Sequence, residues 1–91
     1  MKSIICDEKR CFICGTTQWI EDHHIFGGPF RNKSEKYGLK VYLCHSHHNE
    51  PPNGAHYNRA TMDYLRQVGQ RAFMEHYPDK DFMAEFGRNF L

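Results

Sequence analysis

A chain of 91 residues forms one domain with little apolar surface to bury, so it is expected to need a metal or disulfides for stability. Its net charge of +1 argues against a protein drawn to nucleic acid by overall charge, although local patches matter more than the sum. No apolar run reaches the roughly 20 residues of a membrane span, so no membrane partner is expected.

The N-terminus passes from Ile4-Ile5 directly into Cys6, Asp7, Glu8, Lys9 and Arg10, so no signal-peptide core develops and a cytoplasmic location is expected. In a reducing compartment the four cysteines read as metal ligands before disulfides. Cys11-Phe12-Ile13-Cys14-Gly15 reads as a knuckle, with Gly15 supplying a tight turn and Trp19 placed beneath it. Residues 17–26 fit a short strand that Gly27-Gly28-Pro29 must break. Residues 29–36 read as a polar, basic loop, in which Arg31, Lys33 and Lys36 are candidates to hold a phosphate backbone. Tyr37 to Leu43 is rich in β-formers and predicts a second strand running into Cys44. Pro51-Pro52 and Asn53-Gly54 form a loop. Met62, Leu65, Val68, Ala72 and Phe73 recur at helical spacing and predict a helix from about Asn58 to Tyr77, weakened at Gly69 and stopped by Pro78. Asp79 is expected to cap a last helix whose Phe82, Met83, Phe86 and Phe90 form an apolar stripe.

Two chemical clusters stand out. Cys11 and Cys14 with Cys44 and His47 are two pairs at x-x spacing, which suits the tetrahedral preference of a structural Zn2+. His45 or His48 can replace His47 as the fourth ligand, and Cys6 reads as a plain thiol. Of the seven histidines, His23, His24, His45, His47 and His48 lie in or beside two stretches, Asp22-His23-His24-Ile25 and Cys44-His45-Ser46-His47-His48-Asn49. His23 and His24 are adjacent on a presumed strand, so they face opposite sides and have different tasks: one binds a metal, the other serves as a base near neutral pH. His48 and His56 are the available partners for a three-histidine site with open positions.

Cys-x-x-Cys, then Asp22-His23-His24-Ile25, then Leu43-Cys44-x-x-His47-His48-Asn49, resembles the HNH endonucleases of the ββα-metal (His-Me finger) superfamily. With Gly27-Gly28-Pro29 and Phe82 through Leu91, it looks like the small phage-encoded members. The likeness covers about residues 11–56, and the C-terminal helices match only loosely. It implies an α+β fold: a zinc-stabilised, treble-clef-like ββα-metal core over about residues 11–60, with a helical extension over about 58–91. It also implies a metal-dependent endonuclease that hydrolyses DNA, in a prokaryotic or phage-infected cell. His24 is then the general base, and His23 and His48 hold the catalytic ion, with His56 as third ligand. That ion is one divalent metal, Mg2+, Mn2+, Ni2+ or Zn2+, beside the structural Zn2+. The chain departs from the family twice. Gly38-Leu39 stands where the middle Asn that orients the base is expected, and His47 replaces a zinc cysteine. Two other readings stay open: a zinc-bound DNA- or protein-binding module without catalysis, and a nuclease active only with phage packaging or recombination proteins.

Overall fold

Strands β1 (Ile20–His24) and β2 (Lys40–Cys44) form a two-stranded antiparallel sheet in the computed structural model, which describes residues 2–91. The register sets Ile20 opposite Cys44, His23 opposite Val41 and His24 opposite Lys40. Alternation along β1 buries His23 and leaves Asp22 exposed. Strand β1 is shorter than the predicted 17–26. Trp19 adopts a left-handed backbone (φ 57°), which no strand can include, and this aims its carbonyl at the His45 N–H (2.8 Å). Its side chain is 80% exposed, so it does not pack beneath the knuckle.

The predicted basic loop is instead helical, as a 3-10 turn (Gly28–Phe30) and helix α1 (Arg31–Tyr37). Pro29 suits the first turn of a helix, where its missing N–H costs nothing. Ser34 faces inward and its hydroxyl donates to the Phe26 carbonyl (2.8 Å) while accepting from the Phe26 N–H (3.0 Å). Gly38 ends the helix in the left-handed conformation (φ 70°), returning its N–H to the Ser34 carbonyl. Tyr37 and Gly38 therefore close α1, and the second strand begins at Lys40 rather than Tyr37.

Helix α2 (His45–Asn49) follows β2 directly, and the loop through Pro51-Pro52 leads to helix α3 (Arg59–His76). As predicted, α3 starts after Asn58, whose side chain accepts from the Thr61 N–H at 3.0 Å. Leu65, Gly69, Gln70 and Phe73 form its buried face, whereas Met62, Val68 and Ala72 are half-buried. Gln70 is covered because the C-terminal tail lies over it, accepting from the Phe90 N–H (2.7 Å) and donating to Asn89 Oδ1 (2.8 Å). Helix α4 (Phe82–Phe86) is capped by Asp81, which accepts from the Met83 N–H (3.0 Å), and not by Asp79. The Lys80 N–H bonds the Tyr77 carbonyl, so residues 77–80 form a turn and the cap falls beyond it. Phe90 lies outside α4 but packs with Phe82 and Phe86 around Phe26, at centroid distances of 5.4, 5.4 and 4.6 Å for Phe82, Phe90 and Phe86 respectively. One buried cluster runs from Cys11 through Ile25, Leu39, Val41 and Leu65 to Phe86. No helix of the described residues is long and apolar enough to cross a membrane.

Gly69 lies where α3 crosses the end of β1. A Cβ there would come within 2.9 Å of Ile25 Cγ2 and 3.0 Å of Phe26 Cε2. Gly69→Ala gains about 1 kcal/mol of helix propensity. Overpacking a buried β-branched methyl and a ring costs about 1–3 kcal/mol and wins. We expect a net loss of about 1 kcal/mol, a fall of roughly 4–8 °C in melting temperature followed by circular dichroism. A rise in melting temperature would show that the contact relaxes freely.

Candidate metal centres

The knuckle is closed by the Cys11 N–H on the Thr16 carbonyl (2.8 Å) and the Gly15 N–H on the Cys11 carbonyl (2.8 Å). Gly15 takes φ 78°, which disfavours any side chain. The Phe12 N–H donates to the Tyr42 carbonyl (2.8 Å), fastening the knuckle beside the end of β2. That strand delivers Cys44, and α2 turns His47 back onto it. Cys14 Sγ lies 3.8 Å from Cys44 Sγ, and His47 Nδ1 lies 3.2 Å from Cys44 Sγ and 3.9 Å from Cys11 Sγ. Zinc–sulfur bonds of about 2.3 Å in a tetrahedron separate the sulfurs by about 3.8 Å, so this Cys3His group fits a metal such as zinc. Burial pushes the Cys11 thiol up, but the backbone N–H groups of Cys14, Cys44 and Ile13 outweigh it and lower it overall, favouring the thiolate that a metal needs. Of the three histidines open for the fourth position, His47 is the one that joins the thiols. Cys6 stays outside the group, its thiol raised by burial.

A second group forms on the other side of α2. One ligand nitrogen each from His23, His48 and His56 lies within 4.8 Å of the others. The ring centroids are 5.1, 5.4 and 4.9 Å apart for His23–His48, His23–His56 and His48–His56. His48 Nε2 and His56 Nε2 are 3.2 Å apart, the spacing of two nitrogens bound at about 2.0–2.1 Å to one ion. His23 is 2% exposed, and its Nε2 is the only buried side-chain polar atom of the described residues without a hydrogen-bond partner. An orphaned buried nitrogen costs about 1–3 kcal/mol, which a bound ion would offset. Burial pushes the His23 pKa down to about 3, with His48, His56, His24 and Arg66 adding to the effect, so the ring is neutral and offers a lone pair. His56 is exposed, leaving one side of the group open.

His48 is oriented by Glu21, two residues before His23 on β1. Glu21 Oε1 accepts from His48 Nδ1 (2.8 Å) and Asn49 Nδ2 (2.9 Å), and its Oε2 accepts from His45 Nδ1 (2.9 Å). A carboxylate only accepts, so Nδ1 of His48 carries a proton and Nε2 is the atom turned to the group. The His45 and His48 hydrogen bonds hold Glu21 below the usual carboxylate range, and Glu21 in turn raises His45. The period-2 placement of Glu21 on the face of His23 was a readable signal for this role, missed in the sequence reading.

His56 reaches the group although two prolines intervene. The loop doubles back: the Gly54 N–H bonds the Glu50 carbonyl (2.6 Å), the Ala55 N–H the His47 carbonyl (2.7 Å), and the His56 N–H the His48 carbonyl (3.3 Å). A Cβ on Gly54 would sit 2.7 Å from both the backbone nitrogen and oxygen of Glu50. Gly54→Ala is therefore expected to open this turn and weaken nickel binding at the three histidines by about 10–100-fold, the size of a supporting-shell loss, with zinc content unchanged. Calorimetric titration with nickel reads it, and an unchanged affinity would mean that His56 does not depend on this turn.

His24 belongs to neither group. Its Nε2 lies 3.3 Å from Glu35 Oε1 on α1, and Glu35 also pairs with the buried Lys40 directly across the sheet. The hydrogen bond from Lys40, and then that from His24, lower the Glu35 pKa. No sequence signal pointed to Glu35, because α1 itself was read as loop. Of the three basic candidates, Lys33 is engaged by Glu85 (3.4 Å), Lys36 lies over the Tyr37 ring (5.2 Å), and Arg31 is exposed. A scan of protein-family models and searches of curated proteins and solved structures return no match to this chain.

Proposed function

We propose that this chain is a metal-dependent endonuclease of the HNH type, which hydrolyses phosphodiester bonds in DNA. The observation that carries the reading is the convergence of His23, His48 and His56 on one open-sided point, with the buried Nε2 of His23 unpartnered. Three imidazole donors with an open side make a catalytic arrangement rather than a structural one. The order β1–β2–α2, with a Cys3His group joining the knuckle to the strand end, supports a treble-clef-like ββα-metal core. The HNH-like sequence pattern supplies the substrate class and the phage connection.

His23, His48 and His56 would hold a divalent ion, which would supply positive charge to the scissile phosphate and its departing oxygen. Imidazole donors favour nickel or zinc, while magnesium and manganese prefer oxygen. His24 is the base that takes a proton from the attacking water. Glu35 accepts from His24 Nε2, so Nε2 keeps its proton and Nδ1 is the basic atom. The same carboxylate stabilises the imidazolium that forms, and so takes the place of the middle Asn of the family pattern. The products carry 5′-phosphate and 3′-hydroxyl ends. Arg31, Lys33 and Lys36 on α1 are proposed to meet the backbone beside His24.

The test is supercoiled plasmid with the purified chain and magnesium, manganese or nickel in turn, with metal content measured alongside. Cleavage that chelator abolishes, with a second metal beyond zinc, supports the reading. One zinc per chain, no second metal and no cleavage would sink it and leave a zinc-bound binding module. A second metal without cleavage, restored by phage packaging or recombination proteins, would identify the assembly-dependent form.

A further inference from the structure

A cavity of about 480 Å³ opens beside the three histidines and is lined by His56, Arg59, Arg66 and Arg88 together with Met62 and Tyr57. His56 belongs both to this cavity and to the histidine group, so the two are contiguous. Arg59 and Arg66 come from one face of α3, at positions seven apart. Arg88 comes from the tail. Gly87 ends α4 in the left-handed conformation (φ 71°) and turns the chain back, and Gln70 fixes the tail through Asn89 and Phe90.

The charges in this cavity are unbalanced. Asp63 is the only carboxylate paired with these arginines among the described residues. It binds Arg59 at 3.1 Å and reaches Arg66 only at 4.0 Å. Arg88 has no carboxylate partner among the described residues. Arg66 and Arg88 both stand over the Phe90 ring, at 5.7 and 5.0 Å from its centroid. The same ring orders both guanidinium groups without neutralising them, and both line one cavity, an arrangement that an anion completes. Guanidinium forks match phosphate oxygens in particular.

We infer that Arg66 and Arg88 form a subsite for the phosphodiester backbone of a nucleic-acid strand, which leads that strand to the three histidines. This rests on the nuclease reading above and places a backbone contact on the C-terminal helices, distinct from that of α1. Phosphate contacts of this kind position the strand and read no sequence.

A fluorescent DNA duplex is titrated with the zinc-loaded full chain, without other divalent metal, over a range of salt. Each lost phosphate contact lowers the slope of log affinity against log salt by about 0.9. Arg66→Gln with Arg88→Gln is expected to weaken binding at low salt by about tenfold or more and to lower that slope by about 2. Arg66→Lys with Arg88→Lys keeps the charges and is expected to retain the slope. Nickel titration of the three histidines is expected to show binding retained in both variants. If the glutamine pair binds with wild-type affinity and slope, the subsite is wrong, and plasmid cleavage by wild type would leave the nuclease reading standing. If the salt slope of the lysine pair falls as far as that of the glutamine pair although its charge is kept, the arginines act by packing the tail, and the inference fails. A wild-type chain that binds no duplex and cleaves no plasmid overturns both.

Discussion

Cys44→Ser is expected to abolish zinc binding and with it the folded state at room temperature. Cys44 ends β2 and begins α2, and its thiol lies between those of the knuckle and His47. A metal at this point would join three parts of the chain: the knuckle, the sheet and the helix carrying His48. Structural zinc contributes about 10–16 kcal/mol in zinc-finger peptides. That is comparable with the whole stability of a domain, about 5–15 kcal/mol. The buried cluster here is small and partly built from Cys11 and Cys44 themselves. Serine keeps the shape and loses the thiolate. Zinc measured by atomic absorption should fall from one per chain to none, and the cooperative thermal transition should disappear. A Cys44→Ser chain that melts cooperatively within a few degrees of wild type would mean the aromatic core holds the fold without metal.

His24→Ala is expected to lower plasmid cleavage by about 10²–10⁴-fold, the usual contribution of a positioned general base. The ring is in neither metal group, so zinc content and nickel affinity should not change. This separates His24 from His23, its neighbour on β1, whose loss would remove a ligand. The distinction depends on strand alternation, which buries His23 and turns His24 towards Glu35. Removing the imidazole leaves Glu35 still paired with Lys40, so the buried lysine keeps its partner and the fold should persist. Undiminished cleavage by the variant, with the same metal requirement, would show that another group takes the proton.

Ligand pairs three residues apart lie within one turn of chain, so sequence alone exposed Cys11/Cys14 and the pairing of Cys44 with a histidine of the run that follows it. The same locality made α3 readable: its apolar recurrence and the Asn58 cap are short-range properties. Helix α1 was hidden because its sequence is polar throughout. It forms because Ser34 and Tyr37 find buried places and Gly38 supplies the end. Strand β1 was read too long because no local signal marks Trp19 as left-handed, a conformation tied to a distant amide at His45.

The choice of His47 over His45 and His48 depends on how α2 leaves β2 and turns each imidazole, and a run of histidines does not specify that. The meeting of His56 with His48 depends on a loop that doubles back through Gly54. The pairing of Glu35 with His24, and the gathering of Arg66 and Arg88 around Phe90, join residues from different elements. Sequence by itself determined which residue types were available and their short-range spacing, because ligand pairs, caps and helical stripes are local. Only the tertiary structure decided which histidine meets which partner, because strand register, loop return and the packing of the tail on α3 act between segments far apart in the chain.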